Sequence, residues 1–109
     1  LRTCDVYDFE TDQWSQAPEL NTTIASMATG VIDGKIYVAG GFEGRTASDT
    51  VEMLNPSSEA PAWLMMKPMS KSRSAPASCV LDGLLYVFGG TDGFLVHDDG
   101  EYYNPATNA

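Results

Sequence analysis

Short apolar runs, each bounded by Gly, Pro, Asn or Asp, follow one another along most of this chain. The run at residues 35–39 is rich in β-branched and aromatic residues, and the preceding Asp33-Gly34 is typical of a two-residue hairpin turn. No segment shows a 3.6-residue apolar period over the roughly ten residues that a helix needs. The pattern therefore predicts an all-β chain, with strands at residues 28–32, 35–39, 50–54, 62–66, 77–81, 84–88 and 100–103.

The predicted strands belong to a sequence repeat. Asp33-Gly34 returns 49 residues later as Asp82-Gly83, and the same spacing carries Glu52 onto Glu101. Further pairs in this register are Tyr37 with Tyr86, Gly40-Gly41 with Gly89-Gly90, Asn55-Pro56 with Asn104-Pro105, and Trp14 with Trp63. A partial copy of the unit precedes them at residues 5–8. Self-similarity at this period predicts an architecture of stacked units.

Each repeat holds four predicted strands, which is the make-up of a β-propeller blade. The first two strands of a unit are apolar at nearly every position, as expected when neighbours cover both faces of a sheet. We therefore predict blades of four antiparallel strands: the C-terminal half of one blade at residues 1–24, a complete blade at 25–73 and three strands of another at 74–109. Because one complete and two partial blades do not make a whole propeller, we predict that the chain is a segment of a longer protein.

Composition narrows the possible partners. The 109 residues include 15 Asp and Glu against 6 Lys and Arg, for a net charge of −9. Such a field repels phosphate, so we expect neither nucleic-acid binding nor membrane binding, and a neutral or basic partner is favoured. The two cysteines form no CxxC pair, which favours a reducing compartment and predicts a cytoplasmic location. With a single histidine in the chain, we expect no metal and no cofactor.

Several of the repeated residues resemble the Kelch repeat. They are the Asp-Gly turn, the strand that ends in Gly-Gly, Glu52 followed by Asn55-Pro56, the single Trp63, and then Met69, Ser70 and Arg73. The resemblance covers nearly the whole chain. Two residues depart from it: Ile24 stands where the next repeat has Arg73, and Leu54 stands where the family usually has Tyr.

The resemblance implies a closed propeller of about six blades around a channel. It also implies a non-enzymatic module that binds a protein or peptide, most often as the substrate-recognition part of a cullin–RING ubiquitin ligase. A BTB or F-box segment elsewhere in the chain would then contact the ligase. Two alternatives stay open: an actin-associated scaffold, and, from another class, a fragment of a galactose-oxidase-like copper enzyme. A copper site needs several His and Tyr ligands, and this chain has one His.

The residues that differ between repeats are the candidates for binding. The connections at residues 42–49 and 91–99 have unrelated sequences, which is typical of a variable binding rim. From them, and from the basic linker after the fourth strand, we predict that Arg45, Arg73, Phe94 and His97 contact a peptide. The two arginines would pair with carboxylates and Phe94 would be the apolar anchor.

Two features of these segments have competing explanations. The apolar tripeptide at residues 94–96 either meets a partner or folds down onto the blade or a neighbouring subunit. Glu52 and Glu101 could suggest paired catalytic carboxylates, but they occupy the same place in successive blades. We therefore predict that they form hydrogen bonds that anchor their blades. From the resemblance, the linker at residues 67–75 should emerge on the same face as the variable loops.

Overall fold

The computed structural model describes residues 2–109, and within these residues every regular element is a β-strand. The strands are β1 (Cys4–Asp8), β2 (Gln13–Ala17), β3 (Ala28–Ile32), β4 (Lys35–Ala39), β5 (Phe42–Glu43), β6 (Thr46–Ala47), β7 (Val51–Leu54), β8 (Trp63–Met65), β9 (Ala77–Leu81), β10 (Leu84–Phe88) and β11 (Gly100–Tyr103). The all-β prediction is confirmed. No helix in the described part of the chain could cross a membrane.

The central sheet is a complete antiparallel blade of four strands in the order β3-β4-β7-β8. Asp33 and Gly34 form the turn between its first two strands with φ values of 50° and 74°, as the Asp-Gly motif predicts. β3 and β4 have the predicted bounds, and β7 and β8 are slightly shorter than predicted. The three-stranded sheet β11-β10-β9 packs against one face of this blade, and β1 and β2 pair with each other in a separate sheet.

Each face of the central blade has its own apolar core, which explains the continuous apolar runs. Tyr37, Val38 and Ala39 are consecutive and all three are buried. Tyr37 and Ala39 belong to the core shared with Leu85, Val87 and Tyr103 of the next sheet. Val38 belongs to a second core, which lies on the other face of the blade and includes Leu20, Ile24, Leu54 and Trp63. Stacking therefore buries surface that a single blade would expose.

Close contact between neighbouring blades occurs at their first strands. A Cβ atom added at Gly30 would lie 2.7 Å from the Val80 side chain and 2.9 Å from that of Leu85. The Ser78 hydroxyl donates a hydrogen bond to Thr29 O at 3.3 Å across the same boundary. Glycine thus permits β3 and β9 to approach closely. The blade boundaries at residues 24 and 73 stay predictions, because the linkers contact both neighbouring sheets.

Candidate functional site

Two loops and a linker meet at one end of the blades. We call residues 42–49, between β4 and β7, the first loop, and residues 91–99, between β10 and β11, the second loop. The basic linker is residues 67–75, between β8 and β9. Residues 18–27, which enter β3, are the corresponding linker of the central blade.

The basic linker runs between the bases of the two loops. On one side, the Arg73 N–H donates to Ser48 O at 2.9 Å, and Arg73 O accepts from the Gly41 N–H at 2.7 Å. On the other side, Ser74 and Thr91 exchange a pair of backbone hydrogen bonds of 2.8 and 3.0 Å. The expectation that this linker lies on the face of the variable loops is confirmed.

The two loops share a backbone shape although their sequences are unrelated. The first loop contains the small β5–β6 hairpin, and the second has an antiparallel bridge between Thr91 and Val96. Arg45 and Phe94 occupy corresponding places at the two tips, each after a glycine of positive φ (71° and 99°). Both side chains are exposed. The β5–β6 hairpin was not predicted from the sequence, because its two-residue strands are too short to show alternation.

The tip of the second loop is an exposed apolar patch held in a fixed turn. Phe94, Leu95 and Val96 are 95%, 67% and 86% exposed, so they do not fold down onto the blade. Asp92 Oδ1 accepts hydrogen bonds from the N–H groups of Phe94 (2.9 Å) and Leu95 (2.8 Å), and the Thr91 hydroxyl donates to Leu95 O at 2.7 Å. The N–H donors of Leu95 and Phe94 lower the pKa of Asp92, which favours its charged form.

His97 lies at the base of the second loop rather than at its tip. Its ring Nε2 is 3.0 Å from Ser72 O, and because a carbonyl only accepts, the ring nitrogen is the donor. Its backbone N–H donates to Gly90 O at 2.8 Å. The half-buried His97 therefore ties the second loop to the basic linker, and its contact with a partner stays a prediction.

The Arg73 side chain is not exposed to a partner, although the sequence predicted that it would be. The side chain is fully buried. Its Nε donates to Glu101 Oε2 at 3.2 Å, Nη2 to Asp99 Oδ1 at 3.0 Å, and Nη1 to Gly89 O at 2.9 Å. The structure corrects the expected pairing with a partner's carboxylate, because acceptors of the chain itself already hold the guanidinium.

Asp99 links the buried arginine to the surface. Lys71 Nζ lies 2.7 Å from Asp99 Oδ2, while Arg73 holds the other carboxylate oxygen. The hydrogen bond from Lys71, followed by that from Arg73, lowers the pKa of Asp99 to about 2. Both cations of this part of the linker are therefore neutralised within the chain.

The repeated carboxylates anchor the linkers, as the sequence analysis predicts. Glu52 is 1% exposed, and its Oε1 accepts from the backbone N–H (2.8 Å) and side-chain Nδ2 (3.0 Å) of Asn21. Its Oε2 accepts from the Thr22 hydroxyl at 2.8 Å. In the next blade, Glu101 accepts from the N–H (2.8 Å) and hydroxyl (3.0 Å) of Ser70.

The donors that satisfy these carboxylates were not predicted from the sequence. Asn21 and Ser70 stand 49 residues apart, in the same register as the two glutamates. That shared spacing was the available signal. Among residues 2–109, no group of three or more His, Cys, Asp or Glu side chains is arranged to hold a metal ion.

The comparisons with known proteins agree with this architecture. The family model described as the Kelch motif matches residues 24–70 and 72–109. These matches cover most of the chain, so the chain belongs to the Kelch-repeat family. The solved structure of YjhT matches with a TM-score of 0.72 at 24% identity, over 84% of this chain and 28% of that one, and it supports the propeller fold alone.

Similar sequences occur in several longer proteins. The Kelch repeat-containing protein kel-10 of Caenorhabditis elegans is 38% identical over 51% of this chain and 10% of its own length. An F-box/kelch-repeat protein of Arabidopsis thaliana is 37% identical over 50% of this chain and 14% of its own length. Kelch-like protein 21 of Mus musculus is 36% identical over 51% and 10%. The chain thus matches a small part of each relative.

Proposed function

We propose that this Kelch segment is a protein-binding module whose first and second loops contact a partner protein or peptide. The exposed apolar tip of the second loop is the observation that carries the proposal, since contiguous exposed apolar residues mark interaction sites. Phe94, which is 95% exposed, is the anchor that a partner would bury. Arg45 stands at the corresponding tip of the first loop and is the second contact.

A binding role is favoured over catalysis by the state of the repeated carboxylates. Glu52 and Glu101 are engaged by donors of their own linkers, which leaves them a structural task. Polar groups of the two loops likewise form the loop turns, as Asp92 does. The galactose-oxidase-like alternative gains no support from these residues.

The relatives suggest a more specific role. Some of the similar proteins carry F-box or BTB domains by name. By analogy, we propose that the module recognises substrates for a cullin–RING ubiquitin ligase in the cytoplasm, and that regions outside residues 1–109 contact the ligase. Co-sedimentation with actin filaments distinguishes the alternative of a cytoskeletal scaffold, which predicts that the protein pellets with the filaments.

The binding function is tested by panning a phage-displayed random peptide library on the full-length protein. Selected peptides should bind the wild type and lose at least about tenfold in affinity when Arg45→Ala and Phe94→Ala are combined, because truncating an anchor removes most of its buried contact. Phe9→Ala is the matched control. Phe9 is 82% exposed but lies in the β1–β2 turn, at the opposite end of the strands from the loops.

Undiminished binding by the double variant would remove the proposal. The same conclusion follows if Phe9→Ala lowers affinity as much as the loop changes do. Thermal unfolding of each variant checks that the substitutions act on binding, since exposed side chains away from caps and cores change stability by only about 0.5 kcal/mol.

A further inference from the structure

The fold does not require an apolar tip on the second loop. Residues 94–96 correspond to Arg45, Thr46 and Ala47 in the first loop, which forms the same turn with largely polar residues. Exposing Phe94 and Val96 to water therefore brings the blade no visible structural gain. A partner that buries these side chains accounts for their presence.

The tip is also prepared for binding before a partner arrives. The Asp92 carboxylate and Thr91 hydroxyl hold the turn through bonds to Phe94, Leu95 and the Gly93 N–H, the last at 3.1 Å. The bridge of the second loop to the basic linker fixes its base. A turn already in one conformation has little backbone entropy left to lose on association, so more of the burial energy appears as affinity.

The exposed charge around the tip is negative. Within the basic linker, Lys71 and Arg73 are matched by Asp99 and Glu101, and Lys67 is the linker's remaining exposed cation. The remaining charged residues of the two loops, apart from Asp99 and His97, are Glu43, Asp49, Asp92 and Asp98 against the single cation Arg45. Burial of Arg73 thus removes a cation from the exposed charge of this surface, whose sign agrees with the net charge of −9.

We propose that the second loop binds a basic, apolar peptide segment, whose apolar side chains cover Phe94–Val96 while its Lys or Arg residues face the loop carboxylates. This inference rests on the proposed binding function and specifies the partner's chemistry. Apolar burial supplies the affinity, and the carboxylates supply selection against acidic partners. Asp98 is an exposed carboxylate of the second loop, and its substitution makes the charge preference testable.

Three synthetic peptides test the proposal on the full-length protein. They share one arrangement of Leu and Met residues and carry Lys, Ser or Glu at every other position, and binding is followed by fluorescence anisotropy. The Lys peptide should bind at least about tenfold more tightly than the Ser peptide, and the Glu peptide should bind most weakly. Raising the ionic strength from about 0.1 M to about 1 M, which shortens the screening length from about 10 Å to about 3 Å, should reduce the difference.

Variants assign the binding to the second loop. Phe94→Ser should weaken the Lys peptide by about tenfold or more, whereas Phe9→Ser should leave its affinity unchanged. Asp98→Lys should weaken the Lys peptide and strengthen the Glu peptide without altering the apolar tip. Unfolding curves that match the wild type confirm that these exposed residues are not needed for folding.

Several results would overturn the proposal. They are tighter binding of the Glu peptide, equal binding of the Lys peptide by wild type and Phe94→Ser, or self-association through Phe94 in gel filtration. Panning of the peptide library distinguishes failure of the basic-partner proposal from failure of the proposed binding function. Acidic peptides that depend on Arg45 would leave the module a binding protein and refute only the basic partner, whereas the absence of loop-dependent peptides would refute both.

Discussion

Glu52 and Glu101 perform one task in successive blades with different partners. Glu52 is satisfied by the neutral donors of Asn21 and Thr22. Glu101 is satisfied by Ser70 and by the buried guanidinium of Arg73, which also reaches Asp99. The difference teaches that each blade needs a carboxylate that accepts hydrogen bonds from the linker before its first strand. That carboxylate does not need a charged partner.

Two further positions differ between the blades in step with this change. The place of Arg73 is taken by Ile24 in the central blade, and the place of Asp99 by Thr50. Ile24 is 3% exposed and packs in the apolar core, while Thr50 shares a 2.8 Å hydroxyl hydrogen bond with Ser48. Arg73 and Asp99 are thus both present in one blade and both replaced by neutral residues in the other, where Glu52 stays buried without a cation.

The largest expected effect comes from removing the buried cation. Arg73→Ile leaves the carboxylates of Asp99 and Glu101 without their shared partner, so we expect a loss of about 3 kcal/mol in the free energy of unfolding. Adding Asp99→Thr, which copies the central blade, should recover part of that loss. Urea denaturation measures both variants. A single variant as stable as the wild type would show that the ionic anchor is dispensable.

Substitution of Glu52, whose hydrogen-bond partners are neutral, should lower the free energy of unfolding nearly as much. Glu52→Ala removes both oxygens that accept from Asn21 and Thr22, which leaves part-buried donors without their partners, and we expect a loss of about 2 kcal/mol. Glu43→Ala, on the exposed β5 strand, is the control and should stay within about 0.5 kcal/mol of the wild type. Equal stability of the two variants in urea would contradict the anchor role of Glu52.

Acidification should reduce the stability that the ionised Asp99 contributes to its blade. The pKa of Asp99 is lowered to about 2 from an ordinary 3.8, so the folded state favours its ionised form. Its contribution to stability is therefore full above about pH 4 and fades as the pH falls towards about 2. The difference in unfolding free energy between the wild type and Asp99→Asn should shrink over that range. A difference that stays constant with pH would refute this role of the ion pairs.

The smallest effect is expected at the exposed end of the ionic network. Lys71 and Asp99 are 46% and 43% exposed, and surface ion pairs contribute little because solvent screens them. Lys71→Ala should therefore lower the unfolding free energy by only a small fraction of the Arg73→Ile loss. Added salt should remove even that small difference. A loss comparable to that of Arg73→Ile would show that Lys71 carries the network instead.

Most of the fold could be predicted because the same strand and turn signals occur in two successive repeats. The bounds of β3, β4, β9, β10 and β11 follow from apolar runs and Asp-Gly turns. The anchoring role of Glu52 and Glu101 followed from their equivalent places. The β5–β6 hairpin could not be predicted, because two-residue strands between glycines carry no periodic signal.

The burial of Arg73 was hidden for a different reason. Its segment, Lys-Ser-Arg-Ser, has the composition of an exposed linker, and its acceptors Asp99 and Glu101 lie on a distant part of the sequence. Only the fold brings them together. The paired change from Ile24 and Thr50 to Arg73 and Asp99 was visible in the sequence, but the pairing has meaning only once the two positions are known to be neighbours.

Amide hydrogen exchange tests most directly whether each carboxylate holds the linker that enters its blade. The N–H groups of Asn21 and Ser70 lie outside strands yet donate to Glu52 and Glu101, so both should exchange as slowly as strand amides. Glu52→Ala should release protection at Asn21 alone, and Glu101→Ala at Ser70 alone. Fast exchange of both amides in the wild type, or loss of both in either variant, would contradict the account.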